Sequence, residues 1–386
     1  MLMKSPRSFT GEDVVEIQTH GGSTVLSLLC RACVQSGARL AEPGEFTKRA
    51  FLNGRLDLSQ AEAVLDTIRA KSAMSLIVAQ RQLRGDLARE IDSARAALVA
   101  LLGHLEAGID FVEEDISFVQ KGEMEKTIGN VLGLIRGLRD TAREGRLLRE
   151  GARVAIVGTP NVGKSSLLNR LLREERAIVT ATPGTTRDIV EGSIDLEGVT
   201  VTLIDTAGIR ETNDEIEREG IKRARSAQVE SDLQLIVVDG SLPLSGHDRS
   251  LLERCVGENH IVVINKTDLE LHVEAASIAK GSVTVSVSAR SGAGIDELKS
   301  MMRAHLVGGG SEPGDGVMIT NVRHQAALDR SVRSLEQAGL SIAGDMESEL
   351  VAMDVRQAAE ALGEITGVIT TDEILDRVFS EFCIGK

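Results

Sequence analysis

With 386 residues the chain exceeds one ordinary domain and predicts two or three. Its make-up, 42% hydrophobic and 26% charged with only four cysteines, excludes a disordered chain and a disulfide framework and points to a reducing, cytoplasmic address; no apolar run approaches the ~20 residues of a membrane span. A net charge of −14, no Trp or Tyr and seven Phe argue against autonomous nucleic-acid binding through a basic face or through base stacking.

Residues 1–52 hold a strand-like run from Val14 to Gln18, a Gly21-Gly22 turn beside His20, and a helix through Leu28, Leu29 and Val34. Cys30 and Cys33 form a C-x-x-C inside that apolar helix. No second pair completes a zinc site, so they read as two buried helix cysteines, and His20 reads as a structural turn residue. Residues 53–149 are rich in Ala, Leu, Arg and Glu, and Ala61, Val64, Leu65 and Ile68 recur at helical spacing. Two or more long helices are expected there, the first opening on Ser59 as N-cap with Glu62 three residues on. From Arg153 the pattern changes. Short β-branched runs at Val154–Val157, Val199–Ile204, Leu233–Val238, Ile261–Ile264 and Val283–Val287 alternate with helical stretches, predicting an α/β sheet with helices on both faces over residues 150–307. The Gly-rich stretch 308–316 reads as a flexible joint, and residues 317–386 return to helical composition. The simplest arrangement is an α/β domain inserted into a helical domain.

The chemistry concentrates in the α/β segment. Gly158-Thr159-Pro160-Asn161-Val162-Gly163-Lys164-Ser165 fits G-x-x-x-x-G-K-[ST] between an apolar strand and a helical run beginning at Ser166. Glycines let the backbone curl so that its N–H groups face phosphate oxygens, and the helix N-terminus adds a favourable dipole. Lys164 is expected to reach the β- and γ-phosphates, and Ser165 to ligate Mg2+. Asp205-Thr206-Ala207-Gly208 follows a second strand, with Asp205 placed to hold Mg2+ through water and the Gly208 N–H to sense the γ-phosphate. Asn265-Lys266-Thr267-Asp268 follows a third; the Asp268 carboxylate offers two acceptors to the N1–H and 2-amino donors of guanine, a pair adenine lacks. Ser288-Ala289-Arg290 supports the base from the other side. The ligands expected are therefore GTP and GDP. Ile209 stands where many small GTPases place a water-orienting Gln, so positioning and positive charge must come from elsewhere.

Four segments carry a resemblance: Gly184-Thr185-Thr186-Arg187-Asp188, Asp214 to Ile221, Arg49 to Leu58, and Phe382-Cys383-Ile384-Gly385-Lys386. They resemble the tRNA-modification GTPase family MnmE, also called TrmE, and the likeness covers essentially the whole chain. It implies a Ras-like P-loop GTPase domain inserted into a helical domain, preceded by a partial α+β folate-binding and dimerising domain whose first part, in full-length relatives, lies ahead of Ser8. It implies a K+-stimulated GTP hydrolase acting with the flavoprotein MnmG (GidA). Together they would add an aminomethyl-type group to carbon 5 of the wobble uridine of tRNA, with a one-carbon unit from a tetrahydrofolate derivative in its 5-formyl or methylene form. The family works as a homodimer whose GTPase domains meet across K+. By position, Asn161, Thr180, Thr182 and Thr185 would hold K+, Thr186 would join Ser165 and Asp205 on Mg2+, and Glu217 would orient the attacking water through a second water. Val162, Gly163, Ser166, Ala181, Pro183 and Gly184 would complete the nucleotide contacts, and Glu16, Arg55 and Lys386 match folate positions. Cys383, a thiol on a flexible tail near Lys386, would take part in the modification chemistry and not in GTP hydrolysis. The alternative is a regulatory switch that binds ribosomes or RNA without joining the chemistry, which asks for a basic appendage.

Overall fold

The computed structural model describes residues 1–110, 120–174, 190–205, 231–254, 259–273, 278, 282–307, 316–383 and 385. They form two compact units: residues 1–70, 76–142 and 317–386 in one, 71–75 and 143–316 in the other. The Gly-rich joint at 308–315 lies outside the described residues.

The first unit begins with two short antiparallel strands, β1 (Leu2–Met3) and β2 (Val14–Val15), so the expected run to Gln18 closes after two residues. Helix α1 (Ser23–Gln35) follows, and none of its residues is buried. Cys30 is exposed and Cys33 half-buried, which corrects the expectation of two buried cysteines: the apolar run makes a helix, but its apolar face is not covered. His20 belongs to a turn, its carbonyl accepting the Gly22 N–H. After α2 (Glu45–Leu52) comes α3 (Leu58–Arg69), whose N-cap is Asp57 and not Ser59. Asp57 Oδ1 accepts the Gln60 N–H at 2.9 Å while Gln60 Oε1 accepts the Asp57 N–H at 2.9 Å, a reciprocal capping box. Helices α4 (Ala73–Leu83), α5 (Asp86–Asp110) and α6 (Lys121–Asp140) complete this part. In α5, Leu87, Ile91, Ala94, Leu98, Leu101 and Leu105 recur at alternating four- and three-residue intervals and face Ile128, Val131, Ile135 and Leu138 of α6. Each such buried Leu or Ile contributes about 1.5–3 kcal/mol of hydrophobic stabilisation.

The second unit starts at α7 (Ala142–Glu150) and passes through β3 (Ala152–Val157), α8 (Lys164–Glu174), β4 (Val190–Leu196), β5 (Val199–Asp205), β6 (Leu233–Asp239), α9 (Gly246–Arg254), β7 (His260–Asn265), β8 (Val283–Ser286) and α10 (Ile295–Val307). The strands lie in one sheet in the order β4-β5-β3-β6-β7-β8. All neighbours are parallel except β4, which pairs antiparallel with β5. Strands β3, β6 and β7 are almost continuously buried, as parallel strands covered on both sides must be. Residues 71–75, which run into the first turn of α4, belong here too: Ser72 Oγ donates to the Gly198 carbonyl at 2.6 Å, at the β4–β5 turn.

The chain then returns to the first unit with α11 (Val322–Ala343), α12 (Ser348–Thr366) and α13 (Asp372–Ser380). Leu328, Val332 and Leu335 of α11 and Val355, Leu362 and Ile365 of α12 join the core of α5 and α6. A second cluster gathers Leu58, Ala61 and Leu65 with Leu375, Phe379 and Phe382. The tail is thereby anchored and not a loose end: Phe382 stacks tilted against Phe379 at 5.7 Å, and the Cys383 carbonyl accepts the Gly44 N–H at 3.4 Å. Between α3 and α11 lies a buried charged network. Arg323 grips Glu62 through Nε (3.0 Å to Oε1) and Nη2 (2.8 Å to Oε2), and Asn321 Nδ2 adds a bond at 3.0 Å. His324 Nε2 lies 2.7 Å from Glu62 Oε2 and 2.9 Å from Arg323 Nη2, between an acceptor and a donor. Burial alone would raise the Glu62 pKa, but the neighbouring His324 and Arg323 outweigh it and hold the carboxyl below the usual range. Burial pushes the His324 pKa down, against the pull of Glu62, so the ring stays neutral near neutral pH.

Candidate functional site

The carboxyl ends of β3, β5, β6 and β7 and the turn after β8 supply the site, where ligands collect in open α/β sheets. From Val157 the backbone curls through residues 158–163 into α8. Two glycines are obligatory by space. A Cβ on Gly158 would lie 2.4 Å from the Val237 carbonyl, and one on Gly163, at φ +99°, 2.3 Å from Asn265 Nδ2. Lys164 opens α8 and turns its buried ammonium into the curl, donating to the carbonyls of Gly158 (2.7 Å) and Thr159 (2.8 Å). Burial lowers its pKa, partly offset by Asp205. Thr159 Oγ1 donates to Asp248 Oδ1 at 2.9 Å, tying the curl to α9. Ser165 Oγ donates to the buried Asp205 Oδ2 at 2.7 Å, bringing the expected Mg2+ ligand beside the carboxylate expected to hold that ion through water. Asn161 and Ser166 are exposed at the rim and Val162 is buried beneath it.

On the other side, Asn265 is 2% exposed and bridges two segments. Its Nδ2 donates to the Val162 carbonyl at 2.9 Å, and its Oδ1 accepts the Ala289 N–H at 3.0 Å. Ser288, fully buried, donates its hydroxyl to Asp268 Oδ1 at 2.7 Å. That bond is the main reason the exposed Asp268 carboxyl titrates below its ordinary value. Thr267 N–H bonds the Val287 carbonyl at 3.2 Å, so the 265–268 turn and the 288–290 turn are laced together. Sequence reasoning missed three neighbours. Arg170 on α8 donates through Nε to the Ala289 carbonyl at 3.0 Å and through Nη2 to that of Arg290. Asp248 braces Thr159, and Asp239 receives the Lys266 ammonium. The signal for Asp239 was its place at the carboxyl end of an apolar strand; Arg170 and Asp248 had none.

Thr180, Ala181, Thr182, Pro183, Gly184, Thr185, Thr186, Thr206, Ala207, Gly208, Ile209, Glu217 and Lys386 lie outside the described residues. Glu16 and Arg55 are exposed, and Cys383 is exposed at the anchored tail. Among the described residues no group of three or more His, Cys, Asp or Glu is placed to hold a metal, and no helix is long and apolar enough to cross a membrane.

A mostly parallel sheet, a glycine curl leading into a helix that begins with Lys164 and Ser165, and a base-side turn built on Asn265 and Asp268 define a P-loop GTPase. The chain belongs to the tRNA modification GTPase MnmE family. The model described as MnmE helical domain matches residues 58–383, and that described as GTP-binding protein TrmE N-terminus matches residues 1–55. The tRNA modification GTPase MnmE of Heliobacterium modesticaldum is 46% identical, covering 100% of this chain and 84% of its own length. That of Aquifex aeolicus is 45% identical, covering 99% of this chain and 85% of its own. Among solved structures, the G domain of the T. maritima FeoB iron transporter is similar at 28% identity, over 40% of this chain and 98% of that chain, with a TM-score of 0.30.

Proposed function

We propose that this GTPase acts in tRNA modification at the wobble uridine, as a K+-stimulated hydrolase working with the flavoprotein MnmG and as a homodimer. The observation that carries the nucleotide reading is the closed hydrogen-bond chain Val162–Asn265–Ala289 with Ser288 fixing Asp268. It holds the phosphate curl and the base turn in one frame. Asp268 would accept from the guanine N1–H and 2-amino groups, and Ala289 and Arg290 would close the other side. The N–H groups of residues 161–166 and the positive end of α8 would take the phosphate charge, with Lys164 leaving its two carbonyls for the β- and γ-oxygens.

Ser165 Oγ would ligate Mg2+ directly and Asp205 Oδ2, 2.7 Å from it, would hold the ion through water, hard oxygen groups of the kind Mg2+ takes in phosphate sites. When bound, Mg2+ would neutralise charge on the β- and γ-phosphates. Asn161, exposed at the rim at φ 67°, would be a K+ ligand through its side-chain oxygen, with Thr180, Thr182 and Thr185 proposed alongside it. Ile209 in place of Gln supports that division: positive charge from K+, water orientation from Glu217. Glu16 and Arg55 are exposed and would be offered to a tetrahydrofolate derivative, the carboxylate to pterin N–H groups and the guanidinium to its carboxylate tail. The anchored tail and the acidic balance favour this reading over a ribosome- or RNA-binding switch.

The test is steady-state GTP hydrolysis in KCl and NaCl at matched ionic strength. Loss of one pre-organised charge-stabilising contact costs roughly 10²–10³ in turnover, so a gap of that order is expected, largely abolished in Asn161→Ala while nucleotide still binds. Equal turnover in both salts would remove the K+ proposal.

A further inference from the structure

Lys266 sits between the two residues that build the base side of the site, and its backbone is left-handed, at φ 66°. A lysine gains nothing intrinsically from that conformation, so the surroundings must impose it. Asp239, the last residue of β6, lies in register beside Asn265 of β7. Its Oδ2 receives the Lys266 ammonium at 2.5 Å, and its Oδ1 receives the Ser241 N–H at 3.0 Å and the Ser241 hydroxyl at 2.6 Å. Both carboxylate oxygens are thus committed. The Asp239 side chain is 12% exposed and that of Lys266 32% exposed. Burial would raise the Asp239 pKa, but the Lys266 and Ser241 donors outweigh it and keep the carboxylate ionised. The pair braces the turn that carries the base-side residues, so its consequence should be sought in ligand binding.

We propose that Asp239 is a positioning residue for guanine recognition: by fixing the Lys266 ammonium at the end of β6, it sets the four-carbon stem as a pre-ordered apolar wall for the flat face of the base, while Asp268 reads its edge. Lysine stems lie along apolar surfaces while their heads stay with charge or water, which is the division of labour here. Left unpinned, the stem would have to be ordered each time nucleotide bound. The inference rests on the reading of Asn265–Asp268 as the guanine site.

The experiment is a fluorescence titration of GDP and GTP, with Mg2+, on the full chain and on Asp239→Ala, Asp239→Asn, Lys266→Met and the double variant Asp239→Ala/Lys266→Met. Asp239→Ala is expected to weaken both nucleotides equally, by roughly three- to tenfold, the effect of freeing one rotamer-rich side chain. KM for GTP should rise by the same factor with kcat at saturation unchanged, and Asp239→Asn, which keeps the shape and the acceptor, should lose less. Lys266→Met should also weaken both, and adding Asp239→Ala to it should cost nothing further, because the partner through which Asp239 acts is gone. An equal loss in the Lys266→Met background would overturn the inference, since Asp239 would then act through the fold. Tighter binding by Asp239→Ala would overturn it with the opposite sign, the ion pair then withholding Lys266 from the base. Wild-type affinity in Asp239→Ala or in Lys266→Met would sink this inference alone; undiminished GDP binding by Asp268→Asn would sink the underlying reading of the base site.

Discussion

Replacing Asn265 by Ala removes the residue that joins the phosphate curl to the base turn. The change deletes two hydrogen bonds, at 2.9 and 3.0 Å, from a side chain that is 2% exposed. A typical buried bond is worth about 0.5–1.5 kcal/mol net, and each partner left without a mate costs roughly 1–3 kcal/mol. The orphans here are the Ala289 N–H and the Val162 carbonyl. The amide also fills the space over Gly163, and a water entering there would recover part of the loss. The balance is a penalty of about 2–4 kcal/mol, or on the order of 30- to 1,000-fold in nucleotide affinity if the loop geometry carries all of it. The assay is GDP titration by fluorescence, paired with thermal melts with and without GDP. Weakened affinity and a reduced GDP-induced rise in Tm are expected. If Asn265→Ala bound GDP within about twofold of the unaltered chain, the loss would have to lie wholly in the ligand-free fold, and the idea that this amide presets the two loops would be wrong.

Two further outcomes lie in the other unit. Cys383 is exposed, but its backbone is held by Gly44 and its neighbour Phe382 is buried, so Cys383→Ser should keep GTP hydrolysis near that of the unaltered chain while tRNA digests from cells carrying only this variant lack the wobble modification; normally modified tRNA would leave the tail an anchor alone. Glu62→Gln leaves Arg323, whose side chain is 20% exposed, without its counter-charge and should cost roughly 1–3 kcal/mol in urea unfolding at neutral pH. Both Glu62 and His324 have lowered pKa values in the fold, so their contribution is complete above the ordinary His range and is lost as pH falls, first through His324 and then through Glu62. The acid limb of stability against pH should therefore flatten in Glu62→Gln, and an unchanged profile would contradict the network's role.

The readable parts of this sequence were those where local pattern and tertiary demand coincide. The runs in β3, β6 and β7 are apolar at nearly every position because both faces are covered, and the Lys164-Ser165 loop is fixed by its own backbone. Strand β4 escaped notice because Glu191, Gly192, Ser193 and Asp195 break its apolar residues into an alternation too sparse to stand out. The start of α3 shows a different limit. Ser59 with Glu62 and Asp57 with Gln60 have the same three-residue spacing, so local chemistry alone does not choose between them. The choice is made by Arg323 and His324, more than 250 positions along the chain, which take Glu62 into the interior and leave the cap to Asp57. Helix α1 failed in the opposite direction: its apolar spacing gives the helix, but spacing does not say what covers it. Asp239 and Arg170 depend on strand register and on loop-to-helix approach, neither of which is written locally.

Guanine selection by Asp268 is the claim on which the rest depends, and Asp268→Asn tests it most directly. The Ser288 hydroxyl at 2.7 Å fixes this side chain at the mouth of the site, and Asn has the same shape with one oxygen exchanged for a donor. A hydrogen bond to a charged group is worth about 1.5–3 kcal/mol, so GDP affinity should fall roughly ten- to hundredfold. Affinity for xanthosine diphosphate, whose 2-oxo group accepts where guanine donates, should rise in the same variant. Parallel titrations of the two diphosphates give the answer: a reversal of preference is the predicted result, and undiminished GDP binding without gain for the xanthine nucleotide would contradict the account.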